Sequence, residues 1–258
     1  MKNTVGFNKF INLAPDNEVW TPIPPDEKEH FLSLVDRVRV TLENGTKKEK
    51  GDALEELMTF VYGRFEIAYV HPNVHHGDNQ IDHIVEFIDG MSPPFLIEHV
   101  GMRFVGESKN HKDSIGVREV TDLVELVRSK RAKLGIFSSS KTFSRGLNKS
   151  PWINAEGKRR KLALAYNNEK IILGFTINEL ETLVEKNFYT LLKQKYFSLI
   201  DEIEDDTTDY ATGDLTRPYH LRLYDSLVQL KEKGIINEES FDIGTQKIIS
   251  RYGHVDLE

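Results

Sequence analysis

Strand-like apolar segments alternate with amphipathic helical segments through the middle of this chain. Short apolar runs that favour strands occur near residues 66–70, 81–88, 95–109, 134–138 and 170–175. Between them, apolar residues recur at helical spacing, most clearly at 52–65 and 116–130. Strands separated by helices are typical of layered α/β proteins, so the pattern predicts a central mixed β-sheet flanked by helices.

Composition divides the chain into three parts. Residues 1–45 are expected to be an N-terminal extension with one helix near 30–41, and residues 46–200 are expected to form the core. Residues 201–258 hold 14 Asp and Glu against 6 Lys and Arg, a net charge of −8, and begin with an acidic run that predicts a linker. The helical module after it is either an assembly element or an ordinary hairpin on the core.

Two neighbouring strand segments carry acidic residues. Asp82 lies in the first, while Glu107 ends the second and is followed two residues later by Lys109. Residues two apart on a strand face the same way, so Glu107 and Lys109 are expected side by side. Carboxylates are hard ligands for a divalent cation, and an ammonium beside them can stabilise charge on a phosphate. The pattern predicts a metal site; the simpler alternative is a surface ion pair.

The acidic-x-Lys spacing alone is weak, because it occurs three times. The triplet at 26–28 follows a proline-rich segment, and the triplet at 156–158 has Gly157 at its centre and is expected in a loop. Only the triplet at 107–109 ends an apolar, strand-forming run. Context therefore selects Glu107 and Lys109.

Taken in order, these segments resemble the PD-(D/E)xK nuclease superfamily and, within it, the Mrr-like restriction endonuclease group. The resemblance is carried in chain order by Gly51, Leu54 and Glu55 in a helix, Gly77 before the strand with Asp82, Glu107 and Lys109, and then a helix, a strand and the serines at 138–140. It covers about residues 46–186. Many Mrr-like members have Gln where Glu107 stands; Glu is the older superfamily pattern.

The resemblance implies a restriction-endonuclease-like core that hydrolyses DNA phosphodiester bonds with Mg²⁺ or Mn²⁺. It implies that Asp82, Glu107 and the backbone carbonyl of Ser108 bind the ion. Glu55 would be a further ligand, directly or through water, with Glu56 in its place if the helix is rotated. Lys109 would hold the attacking water or stabilise charge on the phosphate. The implied setting is prokaryotic or phage-related antiviral defence.

The segment from residue 103 to residue 161 carries 15 Lys and Arg against 6 Asp and Glu, a net charge of +9 within a chain of net charge −7. Phosphate contacts need such cations, although a solvated helix face and a charged loop would explain the count equally well. The serines at 138–140 are expected in a polar loop that can bind phosphate. The residues expected to contact nucleic acid are Gln80, His111, Lys112, Arg118, Ser139, Lys141, Lys158, Arg159, Arg160 and Lys161.

Other classes of site are less well supported. The chain has no cysteine, which excludes disulfides and thiolate metal sites. Six of its nine histidines lie between residues 71 and 111, so a zinc site is an alternative, but their spacing matches no zinc pattern. No apolar segment approaches the ~20 residues that span a bilayer, and no secretory signal pattern begins the chain, so we expect a cytoplasmic protein without a membrane partner.

Three alternatives to a DNA endonuclease remain open. One is an RNA-cleaving or effector-gated nuclease on the same core. Another is a non-cleaving nucleic-acid-binding or assembly module. The third is a scaffold whose acidic tail binds a partner protein. Cutting both strands of a duplex requires two active sites or two events, so the expected assembly is a homodimer or a complex with a partner subunit of a defence system.

Overall fold

The computed structural model describes residues 16–76, 79–144, 154–167, 169–205 and 219–253. The helices are α1 (Asp16–Val19), α2 (Lys28–Asn44), α3 (Lys47–Tyr62), α4 (Val117–Ser129), α5 (Ala155–Ala165), α6 (Ile177–Glu181), α7 (Phe188–Asp205), α8 (Tyr219–Glu232) and α9 (Glu238–Tyr252). The strands are β1 (Ala68–His76), β2 (Asn79–Phe87), β3 (Arg103–Lys109), β4 (Leu134–Ser139) and β5 (Ile171–Thr176). The chain forms two compact units, Met1–Phe188 and Tyr189–Glu258.

The five strands form one mixed sheet in the order β1-β2-β3-β4-β5. The first three strands pair antiparallel, whereas β3, β4 and β5 pair parallel. The carboxyl ends of β3, β4 and β5 therefore meet at one edge of the sheet, where Lys109, Ser139 and Thr176 are in register. The predicted α/β class, a mixed sheet flanked by helices, is confirmed.

Two glycines allow helices to approach the sheet closely. A Cβ on Gly106 of β3 would lie 2.9 Å from a ring carbon of Tyr62 on α3, and one on Gly135 of β4 would lie 2.8 Å from Val127 on α4. Gly135 is in register with Val105. Val105 and Gly106 face opposite sides of the sheet, because successive residues of a strand alternate. Helices α3 and α4 thus cover opposite faces of the sheet.

The face under α3 is packed with aromatic rings. Tyr62 lies edge-on to Phe104 and Phe188, with ring centroids 5.1 and 5.9 Å apart, and Phe65 packs against the same two rings. All four side chains are almost completely buried. Edge-to-face pairs of this kind each contribute about 0.5–1.5 kcal/mol beyond their burial. The cluster fixes α3 on the sheet and with it the residues of α3 that lie nearer its N-terminus.

Helix α3 begins earlier than its apolar pattern predicts. Thr46 and Glu49 form a reciprocal capping box, in which each side chain bonds the backbone N–H of the other residue. From sequence, residues 45–50 are expected to form a turn or linker, but the capping box makes residues 47–50 the first turn of the helix. Helix α2 packs against α3, and Arg39 of α2 forms a bidentate ion pair with Glu181 of α6, at 3.0 and 2.6 Å. The boundaries predicted at residues 45 and 200 between the three parts of the chain are not tested by these contacts and stay predictions.

Pro72 and Gly77 predict from sequence that residues 71–80 form a loop, and this prediction is wrong. Strands β1 and β2 form a hairpin whose register runs from Ala68↔Phe87 to His76↔Asn79. Pro72 and Asn73 discourage a strand prediction, but Pro72 lies on the edge strand of the sheet, where a missing N–H is tolerated. The turn itself, residues 77 and 78 with the predicted Gly77, lies outside the described residues.

Three further sequence predictions differ from the structure. Residues 96–100, predicted as the start of a strand, form a π-helical turn (Leu96–Val100) before β3. The sequence predicts a capping box at Thr176 and Glu179 that starts a long helix. The capping box is present, but α6 is short and passes into a 3-10 turn at Thr182–Val184. Residues 156–158, predicted as a loop, lie in the first turn of α5, which Asn154 caps.

The second unit contains the predicted helical hairpin. Helices α8 and α9 are joined by a turn at Gly234, and Asn237 caps α9. Asp201 accepts hydrogen bonds from Arg251 and from the hydroxyl of Tyr252. The acidic run 201–209, predicted as a linker, is helical from 201 to 205. Residues 206–218 lie outside the described residues.

Within the described residues, no helix combines the length and the apolar character needed to cross a membrane.

Candidate metal centre

Asp82 and Glu107 lie on neighbouring strands. Asp82 directly precedes His83, Glu107 directly follows Gly106, and His83 and Gly106 are paired in register. The antiparallel pairing of β2 and β3 therefore brings the two carboxylates together. The backbone N–H of Ser108 donates to Asp82 Oδ2 at 2.7 Å, which ties the Asp82 side chain to β3. Asp82 is 9% exposed and is one of the few buried acids in the described residues. Strand pairing thus brings together two acids that lie in separate segments of the sequence.

Glu107 and Lys109 face the same way on β3. Lys109 Nζ donates to Glu107 Oε1 at 2.7 Å, and their side chains are 32% and 14% exposed respectively. The pair is therefore a half-buried contact rather than a fully solvated surface ion pair. Glu107 Oε2 is buried and has no hydrogen-bond partner in the structure. A buried carboxylate oxygen without a donor leaves one coordination position available on this residue.

Glu55 reaches the same centre from α3. It interacts electrostatically with Asp82, Glu107 and Lys109 although it belongs to a helix rather than to the sheet. Its neighbour Glu56 instead forms an ion pair with Arg37 of α2 on the surface. The rotation of α3 therefore selects Glu55, and Glu56 is not needed as its substitute.

The centre carries more negative than positive charge. Burial raises the pKa of Asp82 to about 6, opposed by the Ser108 N–H and reinforced by the Glu55 carboxylate. Burial and Asp82 likewise raise the pKa of Glu107, and burial and Asp52 raise the pKa of Glu55. Burial lowers the pKa of Lys109, but Glu107 and Asp82 outweigh it, so the net shift is upward. One lysine faces three acids, and a bound cation would relieve this imbalance.

A hard divalent cation fits this set of donors. Mg²⁺ typically uses one or two carboxylates and keeps several waters, and Asp82 and Glu107 with the Ser108 carbonyl would supply such a set. Among the described residues, no three His, Asp or Glu side chains form a ready-made metal cluster, including the described histidines between 71 and 111. The fit therefore depends on the carboxylates of Asp82 and Glu107, and in particular on the buried oxygen of Glu107 that has no hydrogen-bond partner.

A buried polar layer lies behind the centre. His83 is fully buried on β2, and its Nε2 is 2.8 Å from the hydroxyl of Thr59 on α3. Burial lowers the pKa of His83 to about 4, so its imidazole is neutral. Asn110, directly after β3, donates to the carbonyl oxygens of Lys50 and Val38 at 3.0 and 3.3 Å. Helices α2 and α3 are thus tied to the end of the strand that carries Glu107.

Two loops at the carboxyl edge of the sheet carry some of the cations predicted to contact nucleic acid. The loop after β3 and the loop after β4 are joined by the Ile115↔Phe143 bridge and by Ser140, whose hydroxyl donates to the His111 carbonyl. Lys112 is exposed and pairs with Glu43, Lys141 is exposed, and Arg118 in the first turn of α4 is 94% exposed at the side chain. His111 is paired with Glu119 at 3.1 Å.

From sequence, the basic run 158–161 is expected on a solvated surface. This expectation is wrong at two of its four positions. Arg159 and Arg160 both bind Glu156, because residues three and four apart lie on one side of helix α5. Their side chains are 14% and 12% exposed, and Arg159 also stacks over Phe143 and donates to the Ile172 carbonyl. Burial raises the pKa of Glu156, but the two arginines outweigh it and lower it to about 2. Lys158 and Lys161 are partly exposed.

The serine run is also placed differently from the prediction of a polar loop. Ser138 and Ser139 belong to β4 and are 1% and 2% exposed. The hydroxyl of Ser139 donates to the Lys141 carbonyl at 2.6 Å, so it stabilises the turn after the strand. Ser140 is only partly exposed, and the exposed polar residues that follow the strand are Lys141 and Thr142.

One residue near the centre was missed at the sequence level. Asn73 on β1 has a positive φ of 51°, and its side-chain oxygen accepts from Gln80 Nε2 at 2.9 Å. The polar side chain of Asn73 also lowers the pKa of the Glu55 carboxylate, opposing the rise that burial causes. Asparagine is one of the few residues with a side chain that tolerate a positive φ. The sequence Pro72-Asn73 is therefore the signal from which an irregular backbone could be predicted here.

No protein-family model matches the sequence of this chain, and no curated protein is significantly similar to it.

Proposed function

We propose that this protein is a metal-dependent endonuclease with a restriction-endonuclease-like core, acting on DNA. The observation that carries the proposal is the pairing of Asp82 and Glu107 on neighbouring strands beside Lys109, with Glu55 of α3 near enough to interact with them electrostatically. The order of helix, hairpin, Glu-x-Lys strand, helix and strand is also the order of the resembled superfamily. Fold analogy supports the assignment, but the chemistry of the donor set is its physical basis.

Asp82 and Glu107 hold the ion in this proposal, together with the carbonyl of Ser108, and Glu55 binds it directly or through water. The Ser108 N–H donates to Asp82 and keeps it in place. The carbonyl oxygen of the same residue would be a ligand of the ion. When bound, Mg²⁺ or Mn²⁺ supplies an activated water and neutralises charge on the phosphate. Lys109, half-buried beside Glu107, orients that water or stabilises the negative charge that develops during cleavage.

Nucleic acid is the substrate class that fits the charges around the centre. Lys112, Arg118 and Lys141 project from the carboxyl edge of the sheet, and the segment 103–161 has a net charge of +9. A phosphate backbone laid along this edge would meet these cations on its way to the acidic centre. DNA as the substrate, a defence setting and a homodimeric or partnered assembly rest on the family resemblance.

A cleavage assay with defined variants tests the proposal. We expect supercoiled plasmid to be nicked or linearised with Mg²⁺ or Mn²⁺ and to stay intact with EDTA. Asp82→Asn and Glu107→Gln should each abolish cutting. Glu86→Gln is the matched control, because Glu86 lies on the same strand as Asp82 but forms a surface ion pair with Arg103. It should cut at the wild-type rate.

Parallel reactions on single-stranded and double-stranded RNA separate the alternatives. Metal-dependent cleavage of RNA alone would transfer the proposal to an RNA-cleaving enzyme on the same core. Binding of either nucleic acid without cleavage would favour a non-cleaving binding module. Cleavage that persists in EDTA, or at the wild-type rate in Asp82→Asn, would refute the proposed centre.

A further inference from the structure

The loops that follow β3 and β4 are fixed to one another by backbone hydrogen bonds. The Ile115 N–H donates to the Thr142 carbonyl at 3.2 Å, and the Ser144 N–H donates to the Ile115 carbonyl at 2.8 Å. We call residues 111–116 and 140–144 the rim, because they follow β3 and β4 at the carboxyl edge of the sheet. Each half of the rim therefore holds the other in place.

The rim carries two exposed cations. Lys112 pairs with Glu43, but their side chains are 57% and 61% exposed, so the pair contributes little stability and can give way to a phosphate. Lys141 is exposed, and its side chain has no partner among the residues that the structure describes. An ammonium group in this state is available to a phosphate backbone laid along the edge of the sheet.

Phe143, in the second half of the rim, is held by helix α5 and strand β5. The guanidinium of Arg159 on α5 lies over its ring, 4.8 Å from the ring centroid. On β5, a Cβ added to Gly174 would lie 2.9 Å from a ring carbon of Phe143, so the ring packs directly against strand backbone. The Phe143 side chain is buried. Its ring therefore fixes the second loop of the rim to the core.

Arg159 is itself held by three hydrogen bonds. Its guanidinium donates twice to the Glu156 carboxylate, at 2.8 and 2.6 Å, and once to the Ile172 carbonyl, at 3.2 Å. A guanidinium that binds a carboxylate at two points and also stacks on a ring is a rigid unit, which a lysine could not replace. Because the side chain is largely buried, it is not available to a phosphate backbone.

We propose that Arg159 is a positioning residue for nucleic-acid binding: by holding Phe143, it orders the rim before the ligand arrives, so that Lys141 meets the phosphate backbone in place. This inference rests on the function proposed above. It replaces the direct phosphate contact expected of Arg159 from sequence with an indirect role. A loop that is ordered in advance raises affinity, because its entropy is lost during folding and not on association.

Binding of a labelled DNA duplex by the full-length protein, measured by anisotropy in Ca²⁺ at several salt concentrations, tests this role. We expect Arg159→Met to weaken binding by about two- to tenfold, the cost of ordering one flexible side chain on binding. The salt slope should not change, because the same cations meet the phosphates once the loop is bound. If Arg159 contacted a phosphate directly, the slope would instead fall by roughly 0.9.

Two further measurements on Arg159→Met locate its defect. Hydrogen exchange at the Ile115 and Ser144 amides should become faster, because these two amides hold the halves of the rim together. Mn²⁺ affinity, measured by calorimetry, should equal that of the wild type, because the partners of Arg159 named above are not part of the metal centre. In a Lys141→Ser background, Arg159→Met should cause a smaller loss of duplex affinity, since the loop that it orders has lost its cation.

A second variant and a matched control separate positioning from a general loss of stability. Phe143→Leu keeps a buried apolar side chain and leaves the Glu156 pair intact, but it removes the ring on which Arg159 stacks. It should reproduce the weaker binding and the faster exchange, and it decides the question if Arg159→Met does not fold. Arg128→Met is the control, because Arg128 also pairs with an acid three residues earlier, but on the exposed surface of α4. It should bind the duplex as the wild type does.

Unchanged duplex affinity in Phe143→Leu, with or without a folded Arg159→Met, would refute the positioning role and leave the proposed function intact. A salt slope lowered by roughly 0.9 in Arg159→Met, with unchanged exchange at the rim, would also refute it in favour of a direct contact. Losses that are fully additive with Lys141→Ser would refute it as well. A wild-type protein that binds no nucleic acid would overturn the proposed function, and this inference with it.

Discussion

Neutralising Asp82 should stabilise the metal-free protein at neutral pH. The pKa of Asp82 is raised by burial from its ordinary value of 3.8 to about 6, so the folded state holds a proton that the unfolded state has released between these values. Stability gained from this proton is fully present below about pH 4 and is lost as the pH rises towards about 6. With about 1.4 kcal/mol per pKa unit, the loss above about pH 6 is about 3 kcal/mol.

Asp82→Asn removes this loss and keeps an oxygen that can accept from the Ser108 N–H. We therefore expect the variant to be more stable than the wild type by up to about 3 kcal/mol at about pH 7.5 in EDTA, and nearly equal to it near pH 4. Guanidinium denaturation at both pH values measures the difference. Glu86→Gln should show no such pH-dependent gain, because exposed ion pairs contribute only about 0–1 kcal/mol.

Metal should reverse the ranking. Mg²⁺ at about 1,000 times its dissociation constant stabilises whichever protein binds it by about 4.1 kcal/mol, which exceeds the deficit of about 3 kcal/mol, so the wild type should become the more stable protein while Asp82→Asn gains nothing. The reasoning is refuted if the stability difference between the two proteins is the same at both pH values. It is also refuted if Asp82→Asn is the less stable protein at neutral pH without metal.

Three further predictions concern the surroundings of the centre. Lys109→Met should lower kcat far more than it lowers Mg²⁺ affinity, since Lys109 contacts Glu107 rather than the ion; a collapse of Mg²⁺ affinity by calorimetry would contradict this role. Gly106→Ala should destabilise the fold by about 1–3 kcal/mol in denaturant titrations, because the new methyl would lie 2.9 Å from a buried tyrosine ring; an unchanged midpoint would mean that the ring can move. Replacing Lys112, Arg118 and Lys141 by Ser should weaken duplex binding in Ca²⁺, measured by anisotropy, and reduce the log–log salt slope by roughly 0.9 per lost phosphate contact; an unchanged slope would move the nucleic-acid surface elsewhere.

The residues of the centre could be predicted because their spacing encodes local geometry. Alternation along β3 places Lys109 beside Glu107 whatever the rest of the chain does, and the apolar stripe of α3 leaves Glu55 at its edge. The strands and helices between them follow from the same periodicities. Their convergence on Asp82 required only that neighbouring segments pair in one sheet.

The remaining differences come from tertiary contacts that periodicity does not encode. Pro72 and Asn73 are turn-forming residues in most contexts, but pairing with β2 overrides that preference and makes them part of a strand. Arg159 and Arg160 look like a basic patch in sequence, and only the burial of Glu156 beside them turns them inward. Sequence charge therefore overestimates the cations available to a nucleic acid.

The irregular stretch of β1 also bears on how copies of this protein behave when crowded together. β1 is an outer strand of the sheet, and an outer strand with a continuous row of free N–H and C=O groups can recruit a strand from another molecule into a growing fibre. Pro72 removes one N–H from that row, and the left-handed turn at Asn73 redirects the groups that follow. Pro72 and Asn73 together thus make the open edge of the sheet a poor template for amyloid-like stacking.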